Sequence, residues 1–405
     1  MKKLPIGASD FKKLRTENKY FADKSLFIKE IIEEDAEIVL LPRPRRFGKT
    51  LNLTMLRYFL EKTDKPEETK KLFSGLAIEK EGIFEEHICR YPVIYLTFKD
   101  IKASNFEHSL KSIKRLIARE YRRHSYLLTS EQLEEFDKED FQSVLSVKAD
   151  ISLFENSLLD LSHYLYKHYK EKPVILIDEY DTPIISAYAE GYYKETINFF
   201  KSFLGAGLKD NPNIYKGVMT GILRVAKESI FSDMNNLGVY SFLRSKFSDK
   251  FGLTEEEVFS LLHYYKEENK IKSVREWYNG YIFGGNTIYN PWSIINYAAN
   301  IIDGPIPYWV NTSSNLLIQD ILKDSHSGVK EELYKLLKDI PLCKKTEENI
   351  SFEYLKSDET TIYSFLLFCG YLKAYECSNV EDEQYCKLQI PNREVKLVFK
   401  NIIVK

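Results

Sequence analysis

The sequence predicts an α/β fold with a parallel sheet at its centre, and three observations carry that reading. Strand-type runs recur at 38–41, 93–98, 173–177 and 214–220, the first and third of them unbroken and apolar. Stretches with apolar residues at helical spacing separate them, the alternation expected of parallel strands covered on both faces. The first run leads through a short loop to Gly48-Lys49-Thr50, and the third ends in Asp178-Glu179. Chemistry-bearing residues therefore sit at strand ends, where α/β sheets bind ligands.

Taken in order, the first 36 residues form a leader in which Asp23 is placed to cap a helix over 24–32. The 38–41 strand follows, then a loop, then an amphipathic helix over 51–59. The 93–98 strand precedes helices near 105–128 and 152–170, and a fifth strand is expected within 241–251. Beyond Phe251 the texture changes. A helix starts at Thr254, and Gly and Asn punctuate 277–292 as a tight turn or hairpin. Further helices are expected over 293–302 and 314–340, and the last stretch reads as a short strand, a helix near 361–371 and a hairpin over 373–390. The expected division is a core over 1–252, a mostly helical lid over 253–345 and a small α+β segment over 346–405.

With 405 residues and 44% hydrophobic content the chain can bury more than one core. Its net charge of −2 favours neither nucleic acid nor an anionic membrane as a whole-molecule partner. No apolar run reaches the roughly 18 residues of a spanning helix, and the start has no secretory apolar region. The five cysteines form no CxxC pair and are odd in number. They read as reduced thiols of a cytoplasmic protein, without zinc spacing.

The eight residues Arg43-Pro44-Arg45-Arg46-Phe47-Gly48-Lys49-Thr50 fit the phosphate-loop template GxxxxGK[ST] at its last three positions, with Arg43 replacing the first glycine. Amides of Phe47, Gly48, Lys49, Thr50 and Leu51 at a helix start would point at phosphate oxygens. Lys49 would reach the β- and γ-phosphates and Thr50 would ligate Mg²⁺. Asp178 would hold the Mg²⁺ through water, and Glu179 would orient the attacking water. Thr220 ends the fourth strand, where a polar residue watches the γ-phosphate if that strand lies between the other two. Arg224 is a candidate arginine finger, in cis or toward a neighbouring copy. Arg45 and Arg46 flank the phosphates; the alternative is a solvated basic loop. No [NT]KxD tetrapeptide reads guanine, which favours ATP.

The segments 4–7, 20–25, 43–50, 176–184 and 220–227, with Trp277-Tyr278-Asn279-Gly280-Tyr281 and Tyr289-Asn290-Pro291-Trp292-Ser293, together resemble the predicted AAA-ATPase-like family of bacteria. The resemblance implies an AAA-like P-loop ATPase, with Arg43 as a family habit; Tyr20 and Asp23-Lys24 either line the adenine pocket or serve the packing of the leader. Members of that family commonly carry a C-terminal PD-(D/E)xK nuclease-like domain. Here Glu394-Val395-Lys396, with Asp382 upstream, looks instead like the junction before such a domain, so the nuclease is expected to be absent. The leading expectation is an ATP-hydrolysing regulatory module controlling a fused or partner effector such as a nuclease, and through it nucleic acid. A homo-oligomer is compatible with the candidate finger. The rivals are a non-hydrolysing nucleotide-dependent scaffold and a nucleic-acid-binding module using Lys111, Lys114, Arg115, Arg119, Arg122 and Arg123. The aromatics Tyr278, Tyr281, Phe283, Tyr289 and Trp292 read as a small core rather than a base-stacking platform.

Overall fold

The computed structural model describes residues 1–225, 230–231, 234–309, 318–321 and 327–403. Ala226 and Lys227 of the 220–227 motif, and residues 314–317 and 322–326 of the helix expected over 314–340, lie outside the described residues, while Ser327–Leu337 is helical as expected.

The central sheet is built from β1 (Ile38–Pro42), β2 (Val93–Thr97), β3 (Val174–Asp178), β4 (Lys216–Gly221) and β6 (Leu237–Val239); the two-residue β5 (Arg224–Val225) lies apart from it. All neighbours in the order β2-β3-β4-β1-β6 run parallel. Every residue of β1, β3 and β4 is buried, because helices cover both faces. The helices Phe106–Arg123, Ile151–Tyr169 and Tyr193–Leu208 are among the cover. At one crossing Gly207 sits so close to Leu158 that a Cβ there would meet its Cδ2 at 2.4 Å.

The fifth strand is displaced from its expected place. It is Leu237–Val239, while 241–251 turns back on itself and drops Phe242, Phe247 and Phe251 into the core. Those aromatics suggest a strand by composition, yet the carbonyls of Tyr240 and Phe247 pair with a side chain instead of a neighbouring strand. The leader helix is Leu26–Ile32 with Ser25 at its N-cap. Asp23 does not cap that helix: it accepts the Ser25 amide at 2.8 Å and the Ala77 amide at 2.7 Å, tying the leader to the core.

After Gly252 the chain builds a smaller unit that is not purely helical. β7 (Leu253–Thr254), β8 (Tyr281–Phe283) and β9 (Asn286–Tyr289) form an antiparallel sheet in the order β7-β9-β8. Gly284 (φ 50) and Gly285 (φ 90) make the two-residue turn of the β8–β9 hairpin, a pair of positive φ values that glycine adopts without strain. Helices Glu255–Tyr264, Ile271–Tyr278 and Pro291–Ala299 pack on it around Val258, Leu262, Val274, Tyr278 and Ile294.

The C-terminal sheet starts at Leu342, before the boundary expected at 346. β10 (Leu342–Lys345) pairs antiparallel with β13 (Glu383–Gln389), and β13 with β12 (Lys373–Val380). β11 (Asn349–Ile350) reaches across to β5 in parallel. Residues 361–368 of the Glu359–Phe368 helix are all buried, and their core is continuous with that of the central sheet. Cys377 and Cys386 are not reduced: the β12–β13 hairpin brings them opposite each other at a bulge, and a disulfide joins them. Spacing along the chain hides this, because the pairing is made by strand register. No helix among the described residues is long and apolar enough to cross a membrane.

Candidate functional site

Register assembles the site. Thr97 lies beside Asp178 in the β2–β3 pair, and β4 inserts between β1 and β3 so that Thr220 lies beside Leu41. Three hydroxyls and a carboxylate thus meet at the carboxyl edge of the sheet. Thr50 donates to Asp178 Oδ2 at 2.8 Å, Thr97 donates to the same oxygen at 3.1 Å, and Thr220 donates to Oδ1 at 2.8 Å. Burial, then the adjacent Glu179 charge, raises the Asp178 pKa, and the Thr220 and Thr50 hydroxyls oppose that shift. Thr97 was missed in the sequence; a threonine ending an apolar run carries no signal until its strand partner is known.

The loop before the Lys49–Leu60 helix closes over this edge. Gly48 takes φ 86 at the helix N-cap, and Arg46 takes φ 67. Lys49 Nζ is buried and donates to the carbonyls of Arg43 and Pro44, both at 3.1 Å. Burial lowers its pKa, while Glu179, Asp181 and Asp178 pull it back up.

Glu179 also stands at positive φ, 51°, immediately after β3. Its Oε2 accepts the Thr182 hydroxyl at 3.1 Å, and its carboxylate faces the same cavity as Lys49 and Thr50. Two residues on, Asp181 is fully buried and accepts the amides of Ile222 and Leu223 at 2.7 and 2.9 Å, pinning the turn after β4. Burial pushes that carboxyl up to about 6. A Cβ at Gly221 would meet Asp181 Oδ1 at 2.8 Å, so the close approach requires glycine.

A cavity of about 290 Å³ opens over these groups, lined by Arg46, Gly48, Lys49, Thr50, Leu51, Glu179 and Trp292. It adjoins a smaller one of about 80 Å³ lined by Tyr20, Phe47 and Leu253, with Gly48 and Leu51 on the shared wall. Tyr20 is held against Tyr264 and Tyr265, at ring distances of 5.4 and 5.9 Å. Phe47 is fully buried against Tyr281 and Phe283.

The arginines disperse. Arg43 does not face the cavity: its guanidinium is fully buried and donates to the carbonyls of Pro42, Tyr240 and Phe247 at 2.8, 2.6 and 3.1 Å, over the Phe251 and Phe283 rings. Burial pulls its pKa down to about 9, which leaves it cationic at neutral pH. Arg46 stacks 3.8 Å over Trp292. Arg45 lines a different cavity. Arg224 is half-buried in β5, paired to β11, and is not among the residues lining the cavity over Lys49 and Thr50.

Among the described residues no group of three or more His, Cys, Asp or Glu gathers as a metal site. The Thr50 hydroxyl against the desolvated Asp178 carboxylate suits Mg²⁺, which takes few protein oxygens and keeps waters and substrate phosphates. Elsewhere, Arg123 of the basic helix is engaged by Glu120 and Glu61. Tyr278, Tyr281, Phe283 and Tyr289 are all buried, so they form cores. Glu394 is buried too, accepting from Ser293 and the Trp309 amide.

A sequence profile of the family described as Predicted AAA-ATPase matches residues 5–231. A protein of Azotobacter chroococcum mcd 1, described as the uncharacterised protein in the vnfD 5′ region, is 25% identical over 397 residues. The match covers 98% of this chain and 68% of that relative.

Proposed function

We propose, from the premise that this chain belongs to the predicted AAA-ATPase family, that it binds and hydrolyses Mg·ATP at the P-loop site built on Gly48, Lys49 and Thr50. The observation that carries the reading is Asp178, desolvated at a strand end and held by the hydroxyls of Thr50, Thr97 and Thr220, with Glu179 beside it. The smaller cavity at Tyr20 would take the adenine, and the larger one the phosphates. Lys49 would exchange its two carbonyl partners for phosphate oxygens, a trade its desolvation favours. Thr50 and Asp178 would hold the Mg²⁺, which neutralises charge developing on the phosphates. Glu179, released from Thr182, would accept a proton from the attacking water, and Thr220 would sense the γ-phosphate.

The non-hydrolysing reading rested on Arg43 spoiling the loop. Its burial away from the cavity supports hydrolysis instead. Residues 253–300 wall the cavity through Leu253, Pro291 and Trp292, which suits a lid that orders on nucleotide and signals to an effector. The test is phosphate release by the wild type, Lys49→Ala and Glu179→Gln. Lys49→Ala should lose nucleotide binding, and Glu179→Gln should retain binding and lose turnover by about a hundredfold or more. Turnover unchanged in both variants would sink the assignment.

A further inference from the structure

Beyond Arg45 lies a second cavity, of about 520 Å³ against about 290 Å³ for the phosphate side, and no described residue lines both. Its walls mix apolar side chains with the hydroxyls of Ser104, Thr182 and Ser186. Ile222, Phe365 and Tyr371 are each at most 3% exposed and open to it, with Ile185 beside them. At the rim the exposed Lys102, Glu190 and Asp320 carry mixed charge. The inner charge is Arg45, half-buried and, among the described residues, without an ion pair. A cation in such surroundings is relieved by an anion brought in on an apolar body. The volume is that of a drug-sized ligand site. Thr182 also lines this cavity, and its hydroxyl donates at 3.1 Å to Glu179, which lines the other. One hydrogen bond therefore joins the two spaces.

We propose that this chamber is a second small-molecule site, taking an organic anion with an apolar body, and that its occupancy is linked to the phosphate-side cavity through Thr182 and Glu179. The linkage rests on the reading of that cavity as a nucleotide site; binding in the chamber does not.

The experiment titrates the full chain with 8-anilinonaphthalene-1-sulfonate and with its uncharged counterpart N-phenyl-1-naphthylamine, read by fluorescence. Each probe is expected to fill one saturable site. Ala189→Trp places an indole in the chamber wall and should weaken both probes by about tenfold or more. Ser186→Trp serves the same purpose should the first variant fail to fold. Arg45→Met should weaken the sulfonate by about tenfold and leave the neutral amine within about twofold. A saturating non-hydrolysable ATP analogue with Mg²⁺ should leave the sulfonate stoichiometry unchanged and shift its affinity by about threefold or more, and Thr182→Val should abolish the shift. Plugged variants that bind both probes as the wild type does overturn the site. So does an analogue that displaces the sulfonate, because the probe then occupies the nucleotide cavity. An analogue that binds without shifting the probe overturns the linkage. If the analogue itself does not bind, the ATP reading fails, while the plug and Arg45 comparisons still decide the chamber.

Discussion

Restoring the glycine that the phosphate-loop template calls for, by Arg43→Gly, should damage the protein rather than improve it. The side chain holds the carbonyls of Tyr240 and Phe247, on the segment that follows β6, and packs on Phe251 and Phe283. The carbonyls of Pro42 and Tyr240, left without the guanidinium, cost about 1–3 kcal/mol each, while that of Phe247 keeps the Lys250 amide at 3.3 Å. Losing the aromatic packing and gaining backbone freedom at glycine add about 1–2 kcal/mol together. Removing a desolvated guanidinium that has no carboxylate partner among the described residues returns about 2–3 kcal/mol. The balance is a loss of about 3 kcal/mol. The assay is urea unfolding, with Arg43→Met as the companion that keeps the apolar stem while deleting the donors. Affinity of the folded fraction for Mg·ATP should stay within about threefold, since the guanidinium does not line the cavity. A stability change under about 0.5 kcal/mol, or ATP affinity rising about tenfold, would refute the argument that Arg43 is a strut.

Two further changes test the packing behind the site. Gly280 stands at φ 123 with a would-be Cβ 1.9 Å from the Pro391 carbonyl, so Gly280→Ala should cost about 3 kcal/mol or more in thermal melting; a change below about 1 kcal/mol would show that contact to be slack. Glu394 is buried and its carboxyl is pushed up to about 7 from an ordinary 4.5. The native state then binds the extra proton between those values, so this group's contribution to stability falls as pH rises through about 4.5 to 7, by about 3 kcal/mol in all. Glu394→Gln should flatten that slope and be the more stable protein at pH 8, as read by urea midpoints across pH; an unchanged slope would mean the carboxyl is solvated.

Legibility in the sequence followed the range of the interaction. Lys49, Thr50, Asp178 and Glu179 were readable because a strand end, a helix start and a charged pair are local patterns, and the Gly284-Gly285 turn for the same reason. Thr220 needed one further step, the insertion of β4 between β1 and β3. Thr97 and Asp181 were silent as site residues: the first counts only through the β2–β3 register, the second only through amides more than 40 residues away. The disulfide is equally a product of register. Arg43, Arg45 and Arg46 looked like one cationic cluster because side-chain direction is not written in composition. A positive φ at Arg46 and three carbonyl acceptors around Arg43 send them to different places.

That dispersal bears on how a nucleotide would be felt at a distance. Arg46 lies over Trp292, the next residue, Ser293, donates to Glu394, and Glu394 also takes the Trp309 amide. The loop, the Pro291–Ala299 helix and the Arg393–Ile403 helix are thus joined by contacts of short range. A phosphate that draws Arg46 toward itself breaks its contact with Trp292, worth about 1 kcal/mol or more when partly desolvated. Trp292 is also held from the other side, its indole N–H donating to the Tyr308 carbonyl at 3.2 Å. Movement of the arginine alone would therefore leave the indole in place. Movement of the whole Pro291–Ala299 helix would disturb Ser293 and the Glu394 carboxylate behind it, at a buried group where each lost donor weighs most. The architecture favours a response in which helix and loop shift together.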